Sequence, residues 1–284
     1  MQKLDLTNIN IRSPKLPKAF HQTKIVLLTD LHESTFGPSN SVLIQLIANA
    51  QPDYIFCVGD FIDHNLKVAV ALLQELVAIC PVYFVPGNHE YHSGRYPEFV
   101  QELLRLHVHV LKNSHLYLTK KQDQIILAGI DDPTFKANPE PNYFKILRKI
   151  LKMLRNTLVR LKLLAPSPAQ KKASLQPELE QALAGTKSNY YTILLSHRPE
   201  QLPLYKTYPI DLVCAGHAHG GLVQLPWLGG LLSGEQGLFP KYAQGLYQEH
   251  GTKLIVSRGL GDSSSISLRV NNNPEVVLIT LLCT

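Results

Sequence analysis

The sequence predicts an α/β protein in which two sheets pack together with helices outside. Through the first hundred residues, short apolar runs alternate with stretches of helical periodicity. The second half adds further apolar runs with poor polar alternation, which read as strands buried on both faces. Loops carrying Asp, Asn and His follow those runs directly, where α/β sheets place their ligands.

Taken in order, residues 24–29 (KIVLLT) form the first apolar run and 41–50 (SVLIQLIANA) the first helix. Residues 54–58 (YIFCV) read as a strand, 66–79 as a helix, 82–85 (VYFV) as a third strand and 97–107 as another helix. Further strands are expected at 125–130, 191–195, 211–215, 253–257 and 275–282. Residues 165–177 (APSPAQKKASLQP) are rich in Pro and Lys and read as a connector. There is no internal repeat.

At 284 residues the chain allows one large domain or two small ones, and 45% apolar content is enough for a sizeable core. No stretch approaches the roughly 18 uninterrupted apolar residues of a membrane span. The first twenty residues contain no apolar secretory core, so a cytoplasmic location is expected. The four cysteines form no CxxC pair; Cys57 and Cys214 fall inside strand-like runs and read as buried free thiols. Net charge is +6, but residues 136–172 alone hold ten Lys/Arg against Glu140, so the rest of the chain sums to −3. Whatever partner the basic character implies belongs to that segment.

Five short blocks carry the chemistry: Asp30-Leu31-His32, Gly59-Asp60, Gly87-Asn88-His89-Glu90, Ser196-His197 and Gly216-His217-Ala218-His219. Each follows a strand-like run. Asp30 and His32 can face one ion once the chain leaves regular pleating. Asp60 is the best candidate for a bridging carboxylate. Asn88 offers an amide oxygen, and His197, His217 and His219 offer imidazole nitrogens. A nitrogen and oxygen set without thiolate suits two divalent ions, with Mn²⁺ favoured and Fe²⁺, Zn²⁺, Co²⁺ or Ni²⁺ acceptable, over Ca²⁺. Two such ions about 3.5–4 Å apart can clamp a phosphoryl oxygen and generate hydroxide at neutral pH, which points to phosphoester hydrolysis. His89 would face the open side and protonate a leaving oxygen or stabilise developing charge. Glu90 reads as orienting His89 rather than binding metal. Asp63 and Arg198 are further candidates close to the site. His92, His107, His109, His115 and His250 lie outside the strand-end blocks and read as structural.

The D-x-H, GD, GNH, H and GHxH blocks resemble the calcineurin-like metallophosphoesterase family. The stretches LAGIDD (127–132), ILLSHRPE (193–200), DLVCAGHAHGG (211–221), SRGLG (257–261) and PEVVLITL (274–281) are closest to its bacterial YkuE/YaeI-type branch. The resemblance implies a four-layer α-β-β-α sandwich of two mixed sheets spanning residues 1–284, with 136–188 as an insert. It also implies one ion held by Asp30, His32, Asp60 and His219, a second held by Asp60, Asn88, His197 and His217, and a catalytic His89. Glu90 stands where the family usually has Asp, which bears on the tuning of His89. Glu33-Ser34 stands where it usually has Leu-Gly, which bears on the pocket rim. Members of the branch often begin with an export signal or anchor; none is expected from the opening residues read here.

The segment 143–164 (YFKILRKILKMLRNTLVRLKLL) is a basic amphipathic pattern. At about 100° per residue, Ile146, Leu147, Ile150, Leu151 and Leu154 fall on one half, and Lys145, Arg148, Lys149, Lys152, Arg155 and Arg160 on the other. A wide apolar face opposite purely positive charge suits the headgroup region of an anionic membrane, so the expectation is a peripheral protein on the inner face. The alternative is an apolar face packed on the protein itself. Nucleic acid is not expected, because only Tyr143 and Phe144 could stack on bases. No obligate protein partner is evident.

These readings converge on a dinuclear phosphohydrolase acting on a phosphorylated small molecule or lipid. Because the insert sits between the two halves of the site, it resembles the arrangement in UDP-2,3-diacylglucosamine pyrophosphatases of the LpxG type. Two rivals stand beside this reading: a generic phosphodiesterase on soluble nucleotides or glycerophosphodiesters, and a non-catalytic scaffold on the same fold.

Overall fold

The computed structural model describes residues 3–136, 175–221, 224–225, 229–233, 236–262 and 269–284. Two six-stranded mixed sheets face each other. The first has the order β1 (Asp5–Ser13), β16 (Glu275–Cys283), β2 (Thr23–Leu28), β3 (Tyr54–Val58), β4 (Val82–Val85) and β5 (His109–Val110). The second runs β14 (Gly245–Glu249), β15 (Thr252–Val256), β9 (Leu212–Ala215), β8 (Thr192–Leu195), β7 (Asp123–Gly129) and β6 (Ser114–Lys120). Strands β2 to β5 are mutually parallel, as are β7, β8, β9 and β15. Short hairpins pair β10 (Gln224–Leu225) with β11 (Gly229–Gly230) and β12 (Leu232–Ser233) with β13 (Gly237–Leu238).

Side-chain alternation explains the unbroken apolar runs. In β2, Ile25 and Leu27 join Phe56, Val58, Ile193, Leu195 and Cys214 in the core between the sheets. Val26 and Leu28 point the other way, into a core beneath the helices α1 (Ser41–Ala50), α2 (Lys67–Leu76) and α4 (Tyr96–Arg105). A third core lies outside the second sheet, where Leu194 and Val213 meet Leu179 of helix α5 (Gln176–Ala182) and Leu202 and Tyr205 of helix α6 (Leu202–Tyr205). The layers are therefore α-β-β-α, as expected. Each fully buried aliphatic or aromatic side chain contributes roughly 1.5–3 kcal/mol.

Helices α2 and α4 begin and end within three residues of their expected bounds. The connector expected at 165–177 runs into α5, which starts at Gln176. Strands β1, β6 and β14 were not anticipated. Residues 165–174 of the connector and the basic segment, with Lys145, Arg148, Lys149, Lys152, Arg155 and Arg160, lie outside the described residues. Cys57 and Cys214 are buried free thiols, and Cys80 and Cys283 are partly buried. No described helix is long and apolar enough to cross a membrane.

Candidate metal centre

The loops leaving β2, β3 and β4 meet those leaving β8 and β9 at one end of the sandwich. Ligand candidates sit where the chain breaks out of its pleat: Asp30 (φ 51°), His32 (45°), Asp60 (59°), His217 (65°) and His219 (47°) are all left-handed. Such backbone is costly for residues with a Cβ and concentrates at functional sites. Two glycines make the packing possible. Gly59 is left-handed (φ 79°), and a Cβ there would run into the His197 ring. A Cβ on Gly216 would collide with the Asp30 carboxylate.

The expected residues come together. Asp30, His32 and His219 form one cluster and Asp60, His197 and His217 a second, each with one donor atom per residue within 4.8 Å of the others. Asp60 also groups with His32 and His89, which gives it the central place expected of a bridging carboxylate. Its Oδ2 lies 2.9 Å from His197 Nε2 and 3.9 Å from His32 Nε2. Its Oδ1 accepts the His89 backbone N–H at 2.8 Å. Asn88 opens the short helix α3 (Asn88–His92) beside them.

Donor chemistry fits divalent cations. His197 Nδ1 donates to the Val58 carbonyl at 2.9 Å, and His32 Nδ1 lies 3.1 Å from Asp63 Oδ1. Both contacts fix the ring and turn Nε2 towards Asp60, the arrangement usual for ligating imidazoles. His32 Nε2, Asn88 Oδ1 and His219 Nδ1 are buried without a hydrogen-bond partner. Buried polar atoms of this kind are costly unless a hydrogen-bonding partner or a cation meets them.

Charges are tightly balanced. Burial alone would depress His197, but Asp60 beside it, helped by Asp30, raises it to about 10. His89 is likewise opposed by burial, and Asp60 with Asp63 lifts it to about 9. Burial works against the ionised forms of Asp60 and Asp63. The histidines facing them nevertheless hold both carboxyls well below their usual range. Burial and the Arg198 charge keep His217 neutral, and burial lowers His219 to about 4. A cation held by His197 would therefore have to displace its proton. Calorimetric Mn²⁺ titration near neutral pH, in two buffers of different ionisation enthalpy, is expected to show release of about one proton or more per chain. Affinity should rise with pH towards the His197 value. Proton-neutral, pH-independent uptake would contradict this ligand set.

The neighbours divide differently from expectation. Glu90 does not orient His89. Its buried carboxylate accepts the backbone N–H of Asp60 (2.8 Å), Phe61 (2.6 Å), Ile62 (3.3 Å) and Gly87 (2.8 Å), locking two ligand loops together. The extra methylene relative to Asp supplies that reach. Asp63 takes the orienting role, 2.5 Å from His89 Nδ1. Arg198 places Nη1 2.7 Å from His217 Nε2 while its other nitrogens bind Asp132 at 2.5 and 3.0 Å. Asp132 and Asn272, whose amide donates to the His219 carbonyl at 2.7 Å, were not singled out as site residues. Of the histidines read as structural, His115 bonds the Ala182 carbonyl and His109 stacks on Tyr83. His92 lies edge-on to His89, with ring centroids 5.9 Å apart.

Adjoining carboxylate–imidazole clusters, two of which contain Asp60, set at the strand ends of a two-sheet sandwich, are the equipment of a metal-dependent hydrolase of phosphoric esters. The chain belongs to the calcineurin-like phosphoesterase family, which it matches over residues 23–221. It is 27% identical to the uncharacterized metallophosphoesterase YkuE of Bacillus subtilis, over 99% of this chain and 86% of that protein. It is 29% identical to an uncharacterized metallophosphoesterase of Helicobacter pylori, over 94% of this chain but 62% of that protein. It is 26% identical to the UDP-2,3-diacylglucosamine pyrophosphatase LpxG of Chlamydia muridarum, over 98% of this chain and 89% of that protein.

Proposed function

We propose that the chain is a dinuclear phosphohydrolase working at an anionic membrane surface on a lipid-linked pyrophosphate such as UDP-2,3-diacylglucosamine, giving UMP and the lipid monophosphate. One ion is assigned to Asp30, His32, Asp60 and His219, the other to Asp60, Asn88, His197 and His217. Bound there, Mn²⁺ or a similar cation would supply Lewis acidity and a nucleophile at neutral pH. The chain's own residues do the rest. Asp63 fixes the Nδ1 side of His89, whose side chain is 17% exposed and delivers a proton to the leaving oxygen. Burial, with the Arg198 guanidinium that Asp132 holds against the ring, keeps His217 in its neutral form.

The observation that carries the substrate assignment is the basic amphipathic segment within a chain similar to LpxG from end to end. A further support is local. Phe135, at the approach to that segment, packs on Tyr91 of the helix that carries His89, with ring centroids 5.4 Å apart. That contact sets the last described residues before the segment beside the helix that carries His89.

The test is UMP release from UDP-2,3-diacylglucosamine in mixed micelles with Mn²⁺, beside hydrolysis of bis-p-nitrophenyl phosphate. Turnover of both supports the proposal. Turnover of the diester alone, unchanged when residues 143–164 are deleted, would leave a phosphodiesterase of soluble substrates. Failure to retain metal after reconstitution would leave the scaffold.

A further inference from the structure

The loop from Asp60 to Asn65 belongs to no helix or strand, yet it carries both a ligand candidate, Asp60, and the residue that orients His89, Asp63. Irregular backbone of this kind must have its N–H groups satisfied by other means. Glu90 takes the first three, from Asp60, Phe61 and Ile62. Glu33 takes the next three. Its Oε1 accepts from Asp63 at 3.0 Å, His64 at 2.5 Å and Asn65 at 2.6 Å, and its Oε2 accepts from the Asn65 side-chain amide at 2.9 Å. Six successive amides thus converge on two carboxylates from separate strand exits. Successive N–H groups turned inward in this way form a concave cradle for an anion.

We propose that Glu33 is a positioning residue: it holds the 63–65 turn so that the Asp63 carboxylate stays between His32 and His89. The inference rests on the metal-site reading above. Asp63 is poised to act on both sides, with His32 Nδ1 3.1 Å from its Oδ1 and His89 Nδ1 2.5 Å from the same oxygen. The two rings stand edge to face with centroids 4.6 Å apart, so a shift of Asp63 would disturb both. Glu33 is also where the strand exit departs from the usual Leu-Gly, and left-handed backbone at His32 and Glu33 (φ 45° and 58°) accompanies its reach across to the turn. A leucine there could accept no hydrogen bond. His64 is exposed and Asn65 half-buried, so water can replace Glu33 at those amides. Its removal should therefore loosen the turn without unfolding the protein.

The test compares Glu33→Ala, Glu33→Gln, Asp63→Ala and the Glu33→Ala/Asp63→Ala double variant. Mn²⁺ affinity is read by calorimetry, kcat and KM with bis-p-nitrophenyl phosphate, and the melting temperature serves as a control. Glu33→Ala is expected to weaken Mn²⁺ binding and lower kcat by roughly 10–100-fold, the range for residues that orient metal ligands, with KM and melting temperature little changed. Glu33→Gln keeps an oxygen at the cradle and should recover most of the loss. In the double variant the loss should match Asp63→Ala alone, because a residue acting through Asp63 has nothing left to position. Three results would overturn the inference: wild-type affinity and kcat in Glu33→Ala, losses that add fully to those of Asp63→Ala, or a glutamine variant no better than alanine. Wild-type protein that takes up no Mn²⁺ would instead overturn the metal-site reading itself.

Discussion

Asp60→Asn is expected to lower phosphodiesterase turnover at least about a thousandfold, on the order of 4 kcal/mol of transition-state stabilisation, while the protein stays folded. Asp60 groups with His197 and His217 on one side and with His32 on the other, so in the proposed assignment both ions would depend on its charge. Asparagine preserves the shape. Its oxygen can still accept the His89 N–H, as Asp60 Oδ1 does at 2.8 Å. Its amide can donate to His197 Nε2, which sits 2.9 Å from Oδ2 and becomes an acceptor once that ring is neutral, since Nδ1 already donates to Val58. What disappears is the negative charge that would be shared between the two proposed cation positions. Bound Mn²⁺ measured after desalting, beside kcat and the melting temperature, separates loss of metal from loss of fold. Wild-type metal content and turnover in Asp60→Asn would remove Asp60 from its central role.

The parts of this molecule that could be read from its sequence share a physical trait. Strands β2, β3, β8 and β9 are buried on both faces, so almost every position is apolar and the run announces itself. Strand β1 (DLTNINIRS) hid because it is an edge. Its Asp, Thr, Asn and Arg side chains are largely exposed or half-exposed, while its backbone pairs with β16 in parallel from Asp5 to Ser13. Strands β6 and β14 lie at the edges of the second sheet and were missed for the same reason. Among site residues, the ligand candidates were legible because each lies immediately after a buried strand. The residues that hold them were not. Glu33 and Glu90 act on backbone amides about thirty positions away, and amides leave no trace in residue identity. Asp132 meets Arg198 across 66 residues. Pairings of that kind are set by how two sheets stack, which no local pattern encodes.

His89→Asn is expected to lower kcat by about 10²–10⁴-fold with poor leaving groups, the range for a lost general acid, with metal content unchanged. Geometry separates the two roles. His89 joins Asp60 and His32 in a cluster, yet its ring is also pinned by Asp63 and its side chain is more exposed than those of His32, His197 and His219. A ring held through Nδ1 and open on its other edge suits a proton donor. That assignment has a consequence a plain ligand would lack: the loss must depend on the leaving group. p-Nitrophenolate departs with little need of a proton, so methyl p-nitrophenyl phosphate losing that group should suffer least, and diesters of simple alcohols most. Aspartates around His89 favour its protonated form, raising it to about 9, and dications bound beside it would draw that value down. The wild-type rate should therefore fall as pH rises through that lowered pKa, and this alkaline limb should vanish in His89→Asn. A uniform loss across leaving groups, accompanied by missing metal, would move His89 from the acid to the ligand set and leave the donor of the leaving-group proton to a neighbour such as His92, whose ring lies 5.9 Å away.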